Sequence, residues 1–469
     1  MSSKRLRSDI LKDYEIDTTC LAIEDAPVGS ESAFSFMVIG DTDAGLDLSV
    51  GDSFSAEFAQ QIIPYLEESR FLLHTGDVAY PIGNYQNYFE RFLKPYRWLL
   101  TRLPESAFYR RGAVTFRRPF MVVPGNHDCM KAGDGRGWFN KLWSAALRGV
   151  CDRLRSLGVD LGYYGGEGGE AYAETFLDDL EQLSPEQLKR HLFKNYSASV
   201  PDSYSNHCSK RATACLNYRP GAFTQLPNRY YRFRYGGIDF FALDSNSLNQ
   251  DSAVEGFDQA QLDWLEDSLI TSWKDLSVIG RIVYLHHSPY TTESFHWQQS
   301  QTLWVRRHLR SVLSRVATTL DLSPSTKPLL DVVLSGHAHC FEHLQTVQSE
   351  RGDAGIDWVV CGGSGFDLRR QRREGSDILE NVAHGRRSQT EVVARSQLYA
   401  GRHRSRTQKQ MKEKKLHSFI RIDVRPEQKR MITVCPFLVS YEDGQWQVES
   451  APSFSVGSSS VKSQHLMRA

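Results

Sequence analysis

Phe34-Ser-Phe-Met-Val-Ile-Gly-Asp-Thr-Asp-Ala-Gly45 is an apolar run that stops on acidic residues. Its aromatic and β-branched residues favour a strand, and the turn after it carries two carboxylates, Asp41 and Asp43. Three later stretches repeat the pattern of apolar run, glycine and polar ligands: Leu72-Leu-His-Thr-Gly-Asp-Val-Ala-Tyr80, Phe120-Met-Val-Val-Pro-Gly-Asn-His-Asp128 and Val332-Val-Leu-Ser-Gly-His-Ala-His339. A fourth, Ile282-Val-Tyr-Leu-His-His-Ser-Pro289, has the apolar run without the glycine. Strand ends on one edge of a sheet can bring such groups together, and carboxylate, amide and imidazole are groups that bind divalent or trivalent metals.

Between these stretches the periodicity is helical. Phe54 to Ser69 has apolar residues at helical spacing, interrupted by Pro64, and Tyr85 to Leu100 is aromatic with the same period. In Asp258 to Ile270, Leu262, Leu265 and Leu269 share a face, and a further helix is expected over Thr302 to Val316. Strand, helix, strand is the order of a parallel pair, so the chain reads as a layered α/β fold with its ligands in loops at the carboxyl edge. Tyr230 to Tyr235, Gly236-Gly237 and Ile238 to Leu243 spell a hairpin, and Phe419 to Val424 with Met431 to Cys435 spell another. Gly362-Gly-Ser-Gly365 follows a strand, Trp358 to Cys361, and fits a tight turn or an anion-facing loop.

The alternation breaks in two places. From about 130 to 225 the chain has glycine-rich runs, Ala132 to Gly137 and Leu157 to Gly169, and a capped polar helix at Ser184 to Leu192. This is expected to be an insertion over one face of the core, plausible as a lid. From about 366 to 416 it is polar and basic, with Arg369, Arg370, Arg372, Arg373, Arg386, Arg387, Arg402, Arg404, Arg406, Lys409, Lys412, Lys414 and Lys415. Such a run is expected to be a solvated loop or a docking surface for a polyanion. The organisation expected is a polar N-terminal tail, 1–33, and a single domain, 34–469, with these two insertions.

A chain of 469 residues with a 40% hydrophobic and 11% aromatic share can bury a large core. Its 56 basic and 56 acidic side chains cancel, which argues against a global pull toward nucleic acid or anionic membrane. Met1 to Asp25 holds no apolar segment long enough for a secretion signal or a membrane span, so a cytoplasmic protein with no membrane partner is expected. Eight scattered cysteines are then expected as reduced thiols. Cys208 and Cys215, close to His207, are the pair that would suggest a metal or a disulfide, and a plain loop is the simpler reading.

Gathered in space, Asp41 and Asp77 offer hard oxygen, Asn126 an amide oxygen, and His287, His337 and His339 imidazole nitrogen. Two metals sharing Asp77 would each keep open positions, the layout of a two-metal hydrolase. Such ions lower the pKa of a shared water and neutralise charge on a phosphoryl group. Each residue alone has a plain use, as turn, helix cap or core histidine; five clusters in order along one chain do not.

The five clusters resemble the signature of the calcineurin-like metallophosphoesterases. Tyr80, three residues after Asp77, makes them most similar to the purple acid phosphatase branch with its Gly-Asp-x-x-Tyr element. The resemblance implies an α/β fold, a four-layer αββα sandwich of two mixed β-sheets. It implies Asp41, Asp77, Tyr80 and His339 on a first metal and Asp77, Asn126, His287 and His337 on a second, the pair being Fe(III) with Fe(II), Zn(II) or Mn(II). His127 would face the phosphate. His296, nine residues after His287, would protonate the leaving group. His287 is chosen over His286 because it fits His-x-Pro; His286 is placed behind it.

Three features depart from the pattern. Asp43 stands where the superfamily has histidine and the purple branch glycine, which leaves open whether it also binds the first metal. The secretion signal and N-terminal β-sandwich of many plant purple enzymes have no counterpart, nor have the two insertions. The function implied is a metal-bridging hydroxide attacking a phosphomonoester. The rivals are a phosphodiesterase or nuclease using the basic 369–415 segment, and a non-catalytic phospho-ligand-binding scaffold.

Overall fold

The computed structural model describes residues 3–24, 33–42, 51–107, 109, 112–129, 169–197, 214–365, 367–384, 387–406, 411–426, 432–442 and 444–457. Its strands are β1 (Ile16–Ile23), β2 (Phe34–Ile39), β3 (Leu72–His74), β4 (Phe120–Val122), β5 (Tyr196–Ser197), β6 (Ala214–Tyr218), β7 (Tyr231–Tyr235), β8 (Ile238–Ala242), β9 (Gly280–Leu285) and β10 (Val332–Ser335). Then come β11 (Phe341–Thr346), β12 (Asp357–Cys361), β13 (Asp377–His384), β14 (Arg387–Ala400), β15 (Arg402–Arg406), β16 (Met411–Lys415), β17 (His417–Val424), β18 (Ile432–Glu442), β19 (Gln445–Ser450) and β20 (Phe454–Val456). They build an eleven-stranded sheet, ordered β13-β14-β11-β12-β10-β9-β8-β7-β1-β6-β5, and a seven-stranded sheet, β19-β18-β17-β2-β3-β4, with β20 on β18. A separate hairpin pairs β15 with β16.

Both large sheets are mixed. In the smaller one β2, β3 and β4 run parallel while β17 pairs antiparallel to β2. In the larger one β8, β9, β10 and β12 are parallel neighbours and β11 pairs antiparallel to β12.

Side-chain alternation explains why the sheets stack. Ile282, Tyr284, Leu334 and Val359 on one face of the large sheet join a core with Phe36, Phe71, Val38 and Ile420 of the smaller sheet. Phe36 stacks on Phe71 at 4.8 Å between centroids and meets Phe240 edge-on at 5.4 Å, across the two sheets. The intervening residues Val283, Leu285, Val333 and Val360 enter a second core with Leu262, Leu265 and Leu269 of the helix Gln259–Lys274 and with Val305, Leu309 and Val312 of the helix Ser300–Thr319. A strand buried on both faces reads as the unbroken apolar run seen before each motif. The helix Gly51–Glu67, which carries Pro64 within it, covers the small sheet through Phe58 and Ile62. The layers are thus helix, sheet, sheet, helix, the four-layer αββα arrangement.

The expected hairpins form: β7 and β8 turn through Gly236 and Gly237 at φ 54° and 79°, a left-handed pair that glycine adopts freely. Ser184 caps the helix Pro185–Asn195 in a capping box with Gln187. Tyr85 to Leu100 is helical in pieces, a short turn, a π-turn over Tyr88–Leu93 and a 3₁₀ turn over Arg97–Leu99.

Three expectations are corrected. Residues 1–33 are not merely a tail: β1 lies inside the large sheet, parallel to both β6 and β7. The basic run is not simply a solvated loop, because its residues form β13 to β16, and β14 pairs with β11 while Val393 and Ala394 point into the core. The thiols are not all reduced, because Cys20 of β1 and Cys215 of β6 form a disulfide. Of the 130–225 stretch, the described parts extend the edge of the large sheet as β5 and β6; Ala132 to Gly137, Leu157 to Gly168, His207 and Cys208 lie outside the described residues. No helix among the described residues is long and apolar enough to cross a membrane.

Candidate metal centre

Five parallel strands end at one place. Asp41 follows β2, Asp77 follows β3, Asn126 and His127 follow β4, His286 follows β9, and His337 and His339 follow β10. Asp41, Asp77 and His337 sit in left-handed backbone, at φ 56°, 53° and 67°, each directly after a glycine. A non-glycine residue held there costs on the order of 1–3 kcal/mol and persists only where its surroundings demand it. Here the turn swings each ligand back over the strand ends. Close approach demands glycine next to them: a Cβ on Gly125 would lie 2.1 Å from Asp77 Oδ1, and one on Gly336 2.6 Å from Asp41 Oδ2.

The side chains meet around Asp77 and Asp41, both buried. The Tyr80 hydroxyl donates to Asp77 Oδ2 at 2.7 Å and lies 3.0 Å from Asp41 Oδ1. His339 Nε2 lies 3.2 Å from that hydroxyl and 3.7 Å from Asp41 Oδ1. On the other side, His286 Nε2 lies 3.4 Å from Asp77 Oδ2, 3.0 Å from Asn126 Oδ1 and 3.2 Å from His337 Nδ1. Asn126 Oδ1 is also 3.1 Å from His337 Nδ1. Ligand atoms of Asp41, Asp77 and His286 all lie within 4.8 Å of one another.

The remaining ring nitrogens are spoken for, which orients the lone pairs. His286 Nδ1 donates to the Thr75 carbonyl at 2.9 Å and His339 Nδ1 to the Asp367 carbonyl at 2.8 Å, so the Nε2 atoms are left for the centre. His337 has its backbone N–H on Asp41 Oδ2 at 2.9 Å, and its Nε2 is buried without a partner.

The electrostatics call for positive charge. Burial pushes the Asp41 carboxyl up to about 8, with Asp77 adding to the push and His286 opposing it. Burial also opposes charge on Asp77, but His286 and His127 outweigh it and hold that carboxyl well below the usual range. Burial works against protonating His286 too, yet Asp77 and Asp41 lift it to about 9. His339 is pushed down to about 4 by burial and by Arg369, keeping it neutral and able to ligate. Two buried carboxylates balanced by protons, with imidazole lone pairs converging on them, are the donor set of a hard or borderline cation. The residues fit such ions.

The structure brings together Asp41, Asp77, Tyr80, Asn126, His337 and His339. It reverses the order of the two adjacent histidines. His286 directs its Nε2 at the cluster, while His287, its ring 4.5 Å from that of His337, has both nitrogens engaged elsewhere, Nδ1 2.9 Å from Ser245 Oγ and Nε2 3.2 Å from Asn249 Nδ2. The reason is alternation: Ile282 and Tyr284 point between the sheets, Val283 and Leu285 toward the helices, and His286 continues the first set. Asp43 lies outside the described residues.

His127 borders the site, its ring 4.3 Å from that of Tyr80 and its backbone N–H on Asp77 Oδ1 at 2.8 Å. Its Nδ1 donates to the Pro81 carbonyl at 2.7 Å, leaving Nε2 free. His296 is brought in as well, with its ring 4.2 Å from that of His337. The sequence reasoning missed Asp128, whose buried carboxylate accepts the N–H groups of Gly125 (2.9 Å) and Val78 (3.1 Å) and the Tyr88 hydroxyl (2.8 Å), tying the β3 and β4 loops together. Its place at the end of Gly-Asn-His-Asp was the available signal.

Residues 34–341 match the family model described as calcineurin-like phosphoesterase. Among solved structures the chain is similar to a purple acid phosphatase, PPD1, from yellow lupin (Lupinus luteus) seeds, with 15% identity and a TM-score of 0.47 over 92% of this chain and 56% of that one. It is similar also to PhoD, with 12% identity and a TM-score of 0.43 over 94% and 74%, and to GAP50, the anchor in the inner membrane complex of Plasmodium, with 12% identity and a TM-score of 0.41 over 91% and 89%. This chain thus spans little more than half the length of the lupin protein, and likenesses this loose transfer no activity. No curated protein sequence matches the chain significantly.

Proposed function

We propose, from the premise that this chain belongs to the calcineurin-like phosphoesterase family, that it is a metal-dependent, dinuclear phosphomonoesterase. Asp41, Tyr80 and His339 would hold one cation, Asn126, His286 and His337 the other, and Asp77 both. The single observation that carries this reading is the position of Asp77 Oδ2, 2.7 Å from the Tyr80 hydroxyl on one side and 3.4 Å from His286 Nε2 on the other. Paired cations supply an acidified water and neutralise charge on the phosphoryl group.

The chain's own residues do the rest. His127, fixed through the Pro81 carbonyl at Nδ1, would hold a phosphoryl oxygen through Nε2. Asn126 orients beside it, and His296 gives a proton to the departing alcohol. Within the basic segment Arg372 is engaged locally, lying over the Trp297 ring at 4.2 Å and donating to the Gly375 carbonyl at 3.0 Å.

The test is turnover by metal-loaded protein of a nitrophenyl monoester, the bis-nitrophenyl diester and single-stranded DNA. The monoester should turn over fastest; diester or DNA cleavage alone refutes the choice, and no turnover of any leaves a phospho-ligand-binding scaffold. Iron as one of the ions is tested by colour. Iron-loaded protein should absorb in the visible and Tyr80→Phe should bleach it; iron-loaded protein with no such band excludes a Tyr80–iron bond.

A further inference from the structure

The loop after β9 holds a carboxylate that the proposed reaction has not used. Glu293 is fully buried, three residues before His296. Its Oε1 accepts the Phe295 N–H at 2.8 Å and the Ser294 hydroxyl at 3.2 Å, and its Oε2 accepts the His296 N–H at 3.1 Å and His296 Nδ1 at 2.5 Å. All four donors come from the three residues that follow, so the carboxylate gathers the loop around itself and anchors the imidazole at one nitrogen.

The anchor is itself braced. The Glu293 N–H donates to Thr291 Oγ1 at 3.0 Å, and Thr291 and Thr292 both donate to the buried Glu342 of β11. Across the loop, Glu293 bridges Gln371 in antiparallel fashion, Ser294 N–H donates to the Arg370 carbonyl at 2.8 Å, and Arg372 N–H to the Thr292 carbonyl at 2.8 Å. A histidine that serves only as surface packing does not need a buried acid on Nδ1 and a second strand behind that acid. With Nδ1 engaged and the ring centroid 4.2 Å from that of His337, Nε2 is the nitrogen left to act.

We infer that Glu293 is a positioning residue for His296, holding Nδ1–H so that Nε2 presents a proton to the leaving-group oxygen of the phosphoester. This rests on the phosphomonoesterase reading. As the P–O bond to the alcohol breaks and a P–O bond to the oxygen of water forms, Nε2 gives its proton to the departing alkoxide. The proton released by the attacking water goes to solvent, and His296 is reprotonated from solvent. The carboxylate accepts from Nδ1 throughout, which fixes the ring with Nε2 as the donating nitrogen.

The step matters most for a poor leaving group, since nitrophenolate departs without a proton and an alkoxide does not. Zinc-loaded protein is assayed on nitrophenyl phosphate and on glycerol phosphate as wild type, E293Q, H296A and the double variant. The ratio of glycerol phosphate to nitrophenyl phosphate kcat/KM should fall roughly 10- to 100-fold in E293Q and at least as far in H296A. The double variant should fall no further than H296A, because the two residues act as one unit. An equal loss on both esters, or additive losses, would show that Glu293 only holds the loop, and overturns the inference. A readout independent of turnover is the ¹⁵N spectrum of histidine-labelled zinc protein: His296 should show a protonated Nδ1 that E293Q loses, and an unchanged signal overturns the inference as well. Wild type that hydrolyses neither ester removes the phosphomonoesterase reading and this step with it; wild type that hydrolyses both, with no change of ratio in E293Q, removes the step alone.

Discussion

Adding one methyl group at Gly125 is the most economical way to ask whether Asp77 must stand where it does. A Cβ there would lie 2.1 Å from Asp77 Oδ1, 2.7 Å from Cγ and 2.3 Å from the backbone nitrogen of Asp77. An ordinary contact is about 3.5 Å, so one partner must retreat by about an ångström. The backbone nitrogen cannot swing away as a flexible side-chain tip could. The backbone at Gly125 or at Asp77 must therefore shift, and the carboxylate shifts with it against its donors, the Tyr80 hydroxyl (2.7 Å) and the His127 N–H (2.8 Å).

Overpacking of this kind costs about 1–3 kcal/mol, and displacing a reacting group by an ångström costs about 100-fold in rate. Gly125→Ala should therefore lower kcat for nitrophenyl phosphate by about two orders of magnitude and reduce bound metal, measured by elemental analysis, while the protein still folds. Gly112→Ala is the control. Gly112 has φ 71° and nothing within 4 Å, so it carries backbone strain without a clash near the site. If Gly125→Ala kept full activity and full metal content, or if Gly112→Ala were as damaging, the argument that Asp77 bridges the two ligand sets would fail.

The adjacent histidines give a sharp contrast: His286→Ala should lose metal and more than about 100-fold in rate, and His287→Ala, which removes bonds to Ser245 and Asn249, about tenfold. Equal losses on elemental analysis would put both in the centre. His417 predicts a pH dependence of stability. Burial pushes it down to about 4, with Lys415 adding, although its bond to the Gly365 carbonyl opposes the shift. The unfolded chain, titrating near 6.5, then binds more protons between those values, so stability is whole above pH 6.5 and drains as pH falls toward 4. Between pH 7 and 4.5 wild type should lose about 2–3 kcal/mol that His417→Phe does not, read as converging urea midpoints; parallel curves would contradict this. The Cys20–Cys215 disulfide closes a loop of 195 residues, which the chain-entropy model values at about 5 kcal/mol. Cys215→Ala should lower the urea midpoint accordingly, and a non-reduced digest of wild type lacking the linked peptides would disprove the bond.

Much of the centre was legible because its ligands follow the strongest local signal, an unbroken apolar run that stops at glycine. Those runs are β2, β3, β4 and β10, buried on both faces, and each points at the site. What escaped was non-local. Ile16–Ile23 has an ordinary mixed composition, and nothing near it announces partners about 200 residues away in β6 and β7. The basic run hid strands because long arginine and lysine side chains dominate its composition, while the inward positions of β14 are small, Val393, Ala394 and Ala400. The choice between His286 and His287 was decidable from the alternation of Ile282 to Leu285, and the His-x-Pro match overrode it. Glu293 had no motif at all; only its buried contact with His296 reveals it.

The place of β1 bears on how the protein can be handled. Among the described strands of the eleven-stranded sheet, β5 and β6 reach β7 and the rest only through β1. A truncation designed on the family match, starting at residue 34, would cut out that link between the two parts of the sheet and expose the edge of β7. During synthesis the same strand emerges early yet finds its neighbours only after β7 has been made, so it must wait unpaired for most of the first half of the chain. Expression trials that keep the first 24 residues should yield soluble material where shorter versions aggregate.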